Sequence, residues 1–271
     1  MGGMGEGRRV AGQSSCQSQD RRARRNSRRI EGIGLDTQGF VTTRRGGEQI
    51  IPRPAEWKLG ESPSWLREYT VHPFPKIEDI ARRIASRDVS SKVTSQEFSQ
   101  EWIATARQSA VLVPIVGTED GPAVILTKRA HHLKNHRGEI SFPGGRVEEA
   151  ENSYDAALRE TEEEIGLLHN NVNIVGELDA LTTFVSNSVI VPVVAIVHTL
   201  NELAPNADEV SRIMIVPLSE LIRPDTYRNE WWPTARGDLN IHFFELDDET
   251  IWGATARILR QLIDVALAPA L

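Results

Sequence analysis

Residues 144–167 read GGRVEEAENSYDAALRETEEEIGL, a glycine turn followed by a segment rich in carboxylates. We predict a helix over residues 153–165. Asn152 stands where an N-cap accepts hydrogen bonds from the first turn, and Gly166 stands where a left-handed residue ends a helix. The stretch therefore predicts a turn, a capped helix and a sharp exit in close succession.

Three carboxylates of this predicted helix share one face. Glu160, Glu163 and Glu164 stand at positions i, i+3 and i+4, within about one helical turn. Their charges repel one another, and Arg159 supplies only one compensating charge. A hard divalent cation such as Mg²⁺ accepts oxygen ligands and is normally held by a few carboxylates together with substrate phosphates. The spacing therefore indicates a metal site, whereas Glu162 alone is typical of a solvated helix face.

The turn before the helix contains two consecutive glycines, Gly144 and Gly145. Glycine permits backbone angles that are closed to other residues, and it lets a carbonyl or an amide approach a ligand. Together with the helix, this turn resembles the signature of the Nudix hydrolases. The positions that carry the resemblance are Gly145, Glu151, Arg159, Glu160, Glu163, Glu164, Gly166 and Leu167. The pattern departs at Thr161, where the family usually has an aliphatic residue that packs the helix on its sheet.

The resemblance implies both an activity and a metal site. Nudix hydrolases cleave a P–O–P linkage with water, and Mg²⁺ or Mn²⁺ is the implied cofactor. By resemblance, Glu160 and Glu164 hold the divalent ions. Glu163 and the carbonyl of Gly145 are the additional ligands carried over from the family. Arg159 is expected to contact and orient Glu163 without binding the metal itself.

The general base is left open between three carboxylates, because family members take it from the signature helix or from a later loop. The candidates are Glu160, Glu163 and, outside the signature, Glu209. The alternative for Glu209 is a solvated loop carboxylate, and the sequence favours neither. With Arg159, these three make up the predicted catalytic set.

A second stretch narrows the substrate. It is similar to the extra motif of the coenzyme A pyrophosphatase branch of the family, through residues 126–130, Lys134, Gly138 and residues 142–145. That branch normally has Arg at Lys134, and lysine keeps the charge but loses the planar fork that grips a phosphate with two hydrogen bonds. The resemblance covers about residues 107–267 and implies cleavage of coenzyme A or an acyl-CoA to 3′,5′-ADP and 4′-phosphopantetheine.

Other substrates and roles stay open as alternatives. ADP-ribose, NADH or another nucleoside diphosphate derivative would keep the same chemistry. A non-catalytic nucleotide-binding regulator is disfavoured, because a pure binding module has no need of crowded carboxylates. The predicted substrate-binding residues are Arg129, Lys134, Gly144 and Gly145.

Basic residues cluster between positions 128 and 137, just before the glycine turn. We expect them to grip the diphosphate or a further phosphate of the substrate, unless they are only exposed hairpin charges. Three histidines fall in the same stretch, but no fourth ligand is spaced to complete a metal site with them, and solvent exposure is favoured. The cluster comprises Lys128, Arg129, Lys134, His136 and Arg137, and the histidines are His131, His132 and His136.

Charge divides the chain into a basic beginning and an acidic remainder. The protein has 271 residues and a net charge of -7, but residues 1–30 hold eight Arg against Glu6 and Asp20. The acidic remainder argues against general nucleic-acid binding, which needs an excess of Lys and Arg on a surface. We expect a small-molecule substrate and no membrane partner, and we leave a homodimer open. One cysteine, Cys16, excludes a disulfide framework.

The chain organises into three predicted parts. Residues 1–50 predict a disordered tail rich in Arg, Gly and Ser, which is a solvated extension, a nucleic-acid arm or an organelle transit peptide. A cytoplasmic location is expected, with an organelle as the alternative if the tail is a transit peptide. Residues 51–104 predict a proline-spaced arm with short helices near 76–86 and 95–106. Residues 105–268 predict the Nudix domain, an α+β fold of the α/β/α type with a mixed sheet.

Secondary structure within the predicted domain follows from hydrophobic patterning. A turn at residues 118–121 predicts an antiparallel hairpin of the first two strands. A long amphipathic helix is predicted over 249–267, with its apolar face on the sheet. The predicted strands are 110–116, 123–128, 139–142, 174–183, 189–197, 212–216 and 241–246.

Overall fold

The computed structural model describes most of the chain from Arg45 onwards and two short segments before it. The described residues are 33–35, 41–43, 45–67, 74–87, 102, 105–183, 187–235 and 237–268. Two compact units are distinguished, Met1–Arg44 and Arg45–Leu271. Within the first unit the structure describes one antiparallel strand pair, β1 with β2.

Fourteen strands and five α-helices are described within these ranges. The strands are β1 (Ile33–Leu35), β2 (Val41–Thr43), β3 (Lys58–Leu59), β4 (Arg107–Thr118), β5 (Gly121–Arg129), β6 (Ile140–Ser141), β7 (Gly144–Arg146), β8 (Val172–Glu177), β9 (Leu181–Thr183), β10 (Ser188–Val197), β11 (Val210–Pro217), β12 (Tyr227–Thr234), β13 (Gly237–Glu245) and β14 (Thr250–Trp252). The helices are α1 (Ser64–Arg67), α2 (Ile77–Ala85), α3 (Ser153–Ile165), α4 (Leu218–Leu221) and α5 (Gly253–Ala266), with a 3₁₀ turn at His169–Asn171.

A mixed sheet forms the centre of the second unit. Its strand order is β11-β5-β4-β10-β8, with β6, β7 and β9 attached to β5, β4 and β10. β4 and β10 run parallel, and β5 is antiparallel to both β4 and β11. The predicted hairpin between the first two strands is thus confirmed. A second, four-stranded sheet has the order β14-β13-β12-β3.

Side-chain alternation along the central strands gives the sheet two apolar faces. Ala110, Leu112 and Ile125 point to one face, where they join Ala156 and Ala157 of α3 in a buried cluster. The opposite face carries the larger cluster, which includes residues of β4, β5, β10, α2 and α5. Helices therefore cover both faces of a mixed sheet, and the predicted α+β fold is confirmed.

Helix predictions agree with the structure where the residues are described. α3 spans the predicted 153–165, and α2 lies within the predicted 76–86. The predicted helix at 95–106 falls mostly outside the described residues. The predicted helix at 249–267 is wrong at its start, because residues 250–252 pair with β13 as β14 and the helix begins at Gly253.

Strand predictions omitted part of the second sheet. β12 and β14 were not expected, and the predicted strand 174–183 is divided into β8 and β9. β12 contains Glu230, which is fully buried and binds Arg53 at 2.6 Å. A charged residue inside a strand conceals the apolar alternation that identifies strands in a sequence.

The N-terminal predictions lie largely outside the described residues. Most of the predicted tail, including Cys16, is not among them. Residues 45–50 are described and belong to the second unit, so this unit begins before the predicted boundary at residue 50. Among the described helices, none is long and apolar enough to cross a membrane.

Candidate active site

The capped helix α3 is the element on which the site is built. Asn152 accepts hydrogen bonds through Oδ1 from the backbone N–H groups of Tyr154 and Asp155, at 2.9 and 3.0 Å. Gly166 ends the helix with a φ of 69°, as predicted. Thr161 is buried against the sheet, and its hydroxyl donates to the carbonyl of Ala157 at 2.6 Å. The unusual threonine of the signature therefore packs without an unsatisfied polar atom.

Glu164 is the buried carboxylate of the site, with 4% of the residue exposed. Its Oε2 accepts a hydrogen bond from the N–H of Gly144 at 3.2 Å, and its Oε1 lies 3.8 Å from Nη1 of Arg129. Burial raises the pKa of Glu164 to about 7, and the charges of Glu209 and Glu160 act in the same direction. The site therefore contains a carboxylate that is short of positive charge.

Glu160 occupies the space beside Gly145. A Cβ at position 145 would lie 2.5 and 2.6 Å from Oε1 and Oε2 of Glu160, so a side chain there would have to displace this carboxylate. Burial raises the pKa of Glu160, and the charges of Glu163 and Glu209 raise it further. The glycine of the signature thus allows a carboxylate to lie against the backbone of the turn.

Gly144 is required for a different reason. Its φ of +149° lies in a region that favours glycine, and a Cβ there would stand 2.5 Å from Cα of Val111. This close approach follows from the pairing of β7 with β4, in which Gly144 is opposite Val111. Gly144 thus has a backbone angle closed to most other residues, and the close approach that it allows here is to strand β4.

Arg159 connects several carboxylates of the signature. Its Nε and Nη2 donate to Glu151 at 2.9 and 3.0 Å, and its Nη1 donates to Glu160 at 3.0 Å and to Glu163 at 3.3 Å. Nη2 also donates to the carbonyl of Arg146 at 3.2 Å. These hydrogen bonds lower the pKa of Glu151 and raise that of Arg159.

The sequence predicts Glu163 as the partner of Arg159, whereas the structure also pairs Arg159 with Glu151 and Glu160. Glu163, the expected partner, has a side chain that is 59% exposed, whereas that of Glu160 is 19% exposed. No role is predicted for Glu151 from the sequence, although Glu151 occupies one of the fixed positions of the signature. Glu151 anchors the guanidinium, and the guanidinium then reaches the two helix carboxylates.

Glu209 is brought to the site from a distant part of the chain. The segment before it is bonded to the end of α3, where the N–H groups of Ala204 and Asn206 donate to the carbonyls of Ile165 and Glu164 at 3.0 and 2.8 Å. Its negative charge raises the pKa of both Glu160 and Glu164. Glu209 therefore lies within electrostatic range of the two helix carboxylates.

The predicted basic cluster is divided by the alternation of β5. Arg129 faces Glu164, whereas Lys128 binds the buried Glu249 at 2.5 Å on the other side of the strand. Lys128 therefore does not join the cluster. Lys134 lies exposed in the loop that follows.

The histidines of this loop have protein partners. His132 Nε2 lies 3.0 Å from the carbonyl of Asp208. His136 Nδ1 lies 2.9 Å from Oε2 of Glu139, and this hydrogen bond raises the pKa of His136. Within the part of the chain that the structure describes, the histidines of this loop do not form a group that could hold a metal ion.

The donor set of the site suits a hard divalent cation. Glu160 and Glu164 offer carboxylate oxygens whose mutual repulsion a cation would relieve. The Glu160 carboxylate lies beside the backbone of Gly145. No three Asp, Glu, His or Cys side chains converge tightly enough to hold an ion by themselves, within the part of the chain that is described. The backbone carbonyl, water and substrate phosphates would complete such a coordination sphere.

Comparison with known proteins gives one family. A NUDIX domain model matches residues 106–235. An uncharacterized Nudix hydrolase, NudL of Yersinia enterocolitica, is 32% identical over 183 residues, which cover 66% of this chain and 92% of that protein. Nudix hydrolase 3 of Caenorhabditis elegans is 39% identical over 117 residues, covering 42% of this chain and 49% of that protein. A crystal structure of a C. elegans Ap4A hydrolase matches with 19% identity and a TM-score of 0.37, covering 41% of this chain and 80% of that one.

Proposed function

The chain belongs to the Nudix hydrolase family, and from this membership we propose that it hydrolyses the diphosphate linkage of coenzyme A or an acyl-CoA. The products would be 3′,5′-ADP and (acyl-)4′-phosphopantetheine. The observation that supports this substrate is the basic stretch 126–145, whose Arg129 faces Glu164 at the start of the loop that leads to the glycine turn. A coenzyme A substrate carries three phosphate groups, and a loop with exposed cations suits it.

Diphosphates resist hydrolysis mainly because their negative oxygens repel a nucleophile. Catalysis therefore consists of neutralising charge and aligning a water molecule. Glu160 and Glu164, with Glu163 and the Gly145 carbonyl, would hold Mg²⁺ or Mn²⁺, which supplies this neutralisation when bound. Arg129 adds a fixed positive charge on the substrate side of Glu164.

The proton of the attacking water needs an acceptor, and we assign this role to Glu209. Glu160, Glu163 and Glu164 are the proposed ligands of the cation, and Glu163 is in addition paired with Arg159. Glu209 comes from a separate loop and is partly exposed, within electrostatic range of both inner carboxylates. A base opposite the helix can face the substrate without displacing a ligand of the cation.

The experiment is a product analysis of the full chain with coenzyme A, ADP-ribose and NADH, each with Mg²⁺ or Mn²⁺. Formation of 3′,5′-ADP with the highest kcat/KM for coenzyme A supports the proposal. Glu164→Gln should abolish it, whereas the matched Glu162→Gln, on the outer face of α3, should not. A higher kcat/KM for ADP-ribose or NADH would overturn the substrate assignment and leave the chemistry intact. No cleavage of any of the three would overturn both.

A further inference from the structure

Glu209 sits at the end of a segment that is tied to the site at both ends. At its start, the N–H groups of Ala204 and Asn206 donate to carbonyls at the end of α3. At its end, the N–H of Ala130 donates to the carbonyl of Glu209 at 2.7 Å. The backbone of Glu209 is thereby fixed between the carboxylate helix and the loop that follows β5.

The turn between these ties is braced internally. The carbonyl of Asn206 accepts hydrogen bonds from the N–H groups of Glu209 and Val210 at 2.9 and 2.7 Å. Its side-chain Oδ1 accepts from the N–H of Asp208 at 3.2 Å. Residues 206–210 therefore form one hydrogen-bonded turn, so a displacement of the Asp208 backbone also displaces Glu209.

A side chain from outside this unit holds the carbonyl of Asp208. His132 Nε2 lies 3.0 Å from that oxygen. Because a carbonyl oxygen only accepts, the hydrogen bond requires the hydrogen on Nε2. The other two histidines of the loop have different partners, since His136 binds Glu139 and the His131 ring lies against Gly138.

We propose that His132 is a positioning residue, which holds the 206–210 turn so that the Glu209 carboxylate faces Glu160 and Glu164. This inference rests on the proposed role of Glu209. His132 is exposed and contacts the backbone of Asp208, not the carboxylates of the helix. Its effect on turnover therefore passes through Glu209.

The test is a double-mutant cycle in the full chain, with metal and the substrate that the product analysis identifies. His132→Ala should lower kcat by about 3- to 10-fold, the range expected for one hydrogen bond, with KM unchanged. His132→Gln, whose amide can donate to the same carbonyl, should recover most of the rate. In a Glu209→Gln background, His132→Ala should cause no further loss, because the group it positions is gone. His198→Ala, another exposed histidine, is the control and should keep the parental kcat.

A second measurement does not depend on turnover. Amide hydrogen exchange at Glu209 and Val210 should accelerate in His132→Ala and return towards the parental rate in His132→Gln. Unchanged exchange, or an equal loss of kcat in both backgrounds, would overturn the proposal. If the parental protein cleaves none of the substrates, the proposed function fails, while the exchange rates still decide whether His132 holds the turn.

Discussion

The carboxylate of Glu160 lies against the backbone of Gly145, in the space that a side chain at position 145 would fill. These two residues are separated by most of the signature, and a side chain at position 145 would displace the Glu160 carboxylate. The glycine is thus explained by the volume that the Glu160 carboxylate occupies. The relationship leads to a direct test.

Gly145→Ala should displace Glu160 and lower kcat by about 100-fold, because a shift of about 1 Å in a reacting group has effects of that order. The affinity for Mg²⁺ should fall with it. Gly117→Ala is the matched control, since a Cβ there meets nothing within 4 Å. The measurement is steady-state kinetics over a Mg²⁺ titration. Equal activity of the two variants would contradict the claim that the Glu160 carboxylate needs the space beside Gly145.

The raised pKa of Glu164 predicts how the stability of the metal-free protein depends on pH. Below about pH 4.5 the carboxyl is protonated in both states and burial costs little. As the pH rises towards 7, the unfolded state loses its proton first, so the free energy of unfolding falls, by about 3 kcal/mol in total from this group. Denaturant titrations in EDTA between pH 4.5 and 7.5 measure it.

Two comparisons isolate the contribution of Glu164. Glu164→Gln should lose this part of the pH dependence, because an amide does not titrate. Saturating Mg²⁺ at pH 7.5 should restore stability to the parental protein more than to the variant, since a ligand that binds only the folded state stabilises it. Identical pH profiles for the parental protein and Glu164→Gln would refute the assignment.

The alternation of β5 predicts opposite phenotypes for two adjacent cations. Arg129→Gln removes the charge beside Glu164 and should lower kcat/KM by about 10- to 100-fold. Lys128→Gln leaves the buried Glu249 short of a partner and should lower the free energy of unfolding by about 1–3 kcal/mol, with turnover largely kept. Kinetics and thermal unfolding of both variants distinguish the two faces, and a shared catalytic defect would be inconsistent with them.

The beginning of the second unit predicts where the chain tolerates truncation. Arg45 binds Glu220, Asp225 and Asp247, and Gln49 binds the side chain of Glu249 at 2.8 Å. A chain starting at Ile51 should therefore unfold at least about 2 kcal/mol more easily than a chain starting at Arg45. Denaturant unfolding of the two truncations, beside Arg45→Ala in the longer one, gives the answer. Equal stabilities would show that these contacts contribute nothing.

The proposed substrate can be tested at Lys134, where the coenzyme A pyrophosphatase branch normally has Arg. Lys134→Arg restores a planar, two-donor group in the exposed loop and should lower KM for coenzyme A by about 3- to 10-fold. The KM for ADP-ribose should change less, because that substrate lacks the third phosphate. An equal change in KM for both substrates would mean that residue 134 contacts only the diphosphate that they share.

The local parts of the site were predictable from the sequence, and the distant ones were not. Asn152, α3 and Gly166 follow a short-range pattern of caps and carboxylates, and the structure agrees residue by residue. The position of Glu209 depends on hydrogen bonds between a loop and the end of α3, and nothing within the local sequence encodes them. Only its charge and the family resemblance made it a candidate.

The same division applies to the fold. The central strands have β-branched, apolar sequences and were recognised, whereas β12 carries the buried Glu230. That carboxylate is satisfied by Arg53, Arg228 and the indole N–H of Trp232. A buried charge is tolerated when its hydrogen bonds are complete, but the sequence pattern then indicates a surface segment.

The pairing of β4 with β10 has a consequence for biosynthesis. Arg107 is opposite Ser188, so this parallel pair closes a loop that contains β5, the glycine turn and all of α3. Contacts of such sequence separation form slowly, since the entropy of loop closure opposes them until the strands meet. The hydrogen bonds of α3 are local in sequence, whereas Glu209 follows β10 in the chain. A nascent polypeptide should therefore contain the carboxylates that we propose as metal ligands before it contains Glu209, the proposed base, and competence for hydrolysis should come late in synthesis.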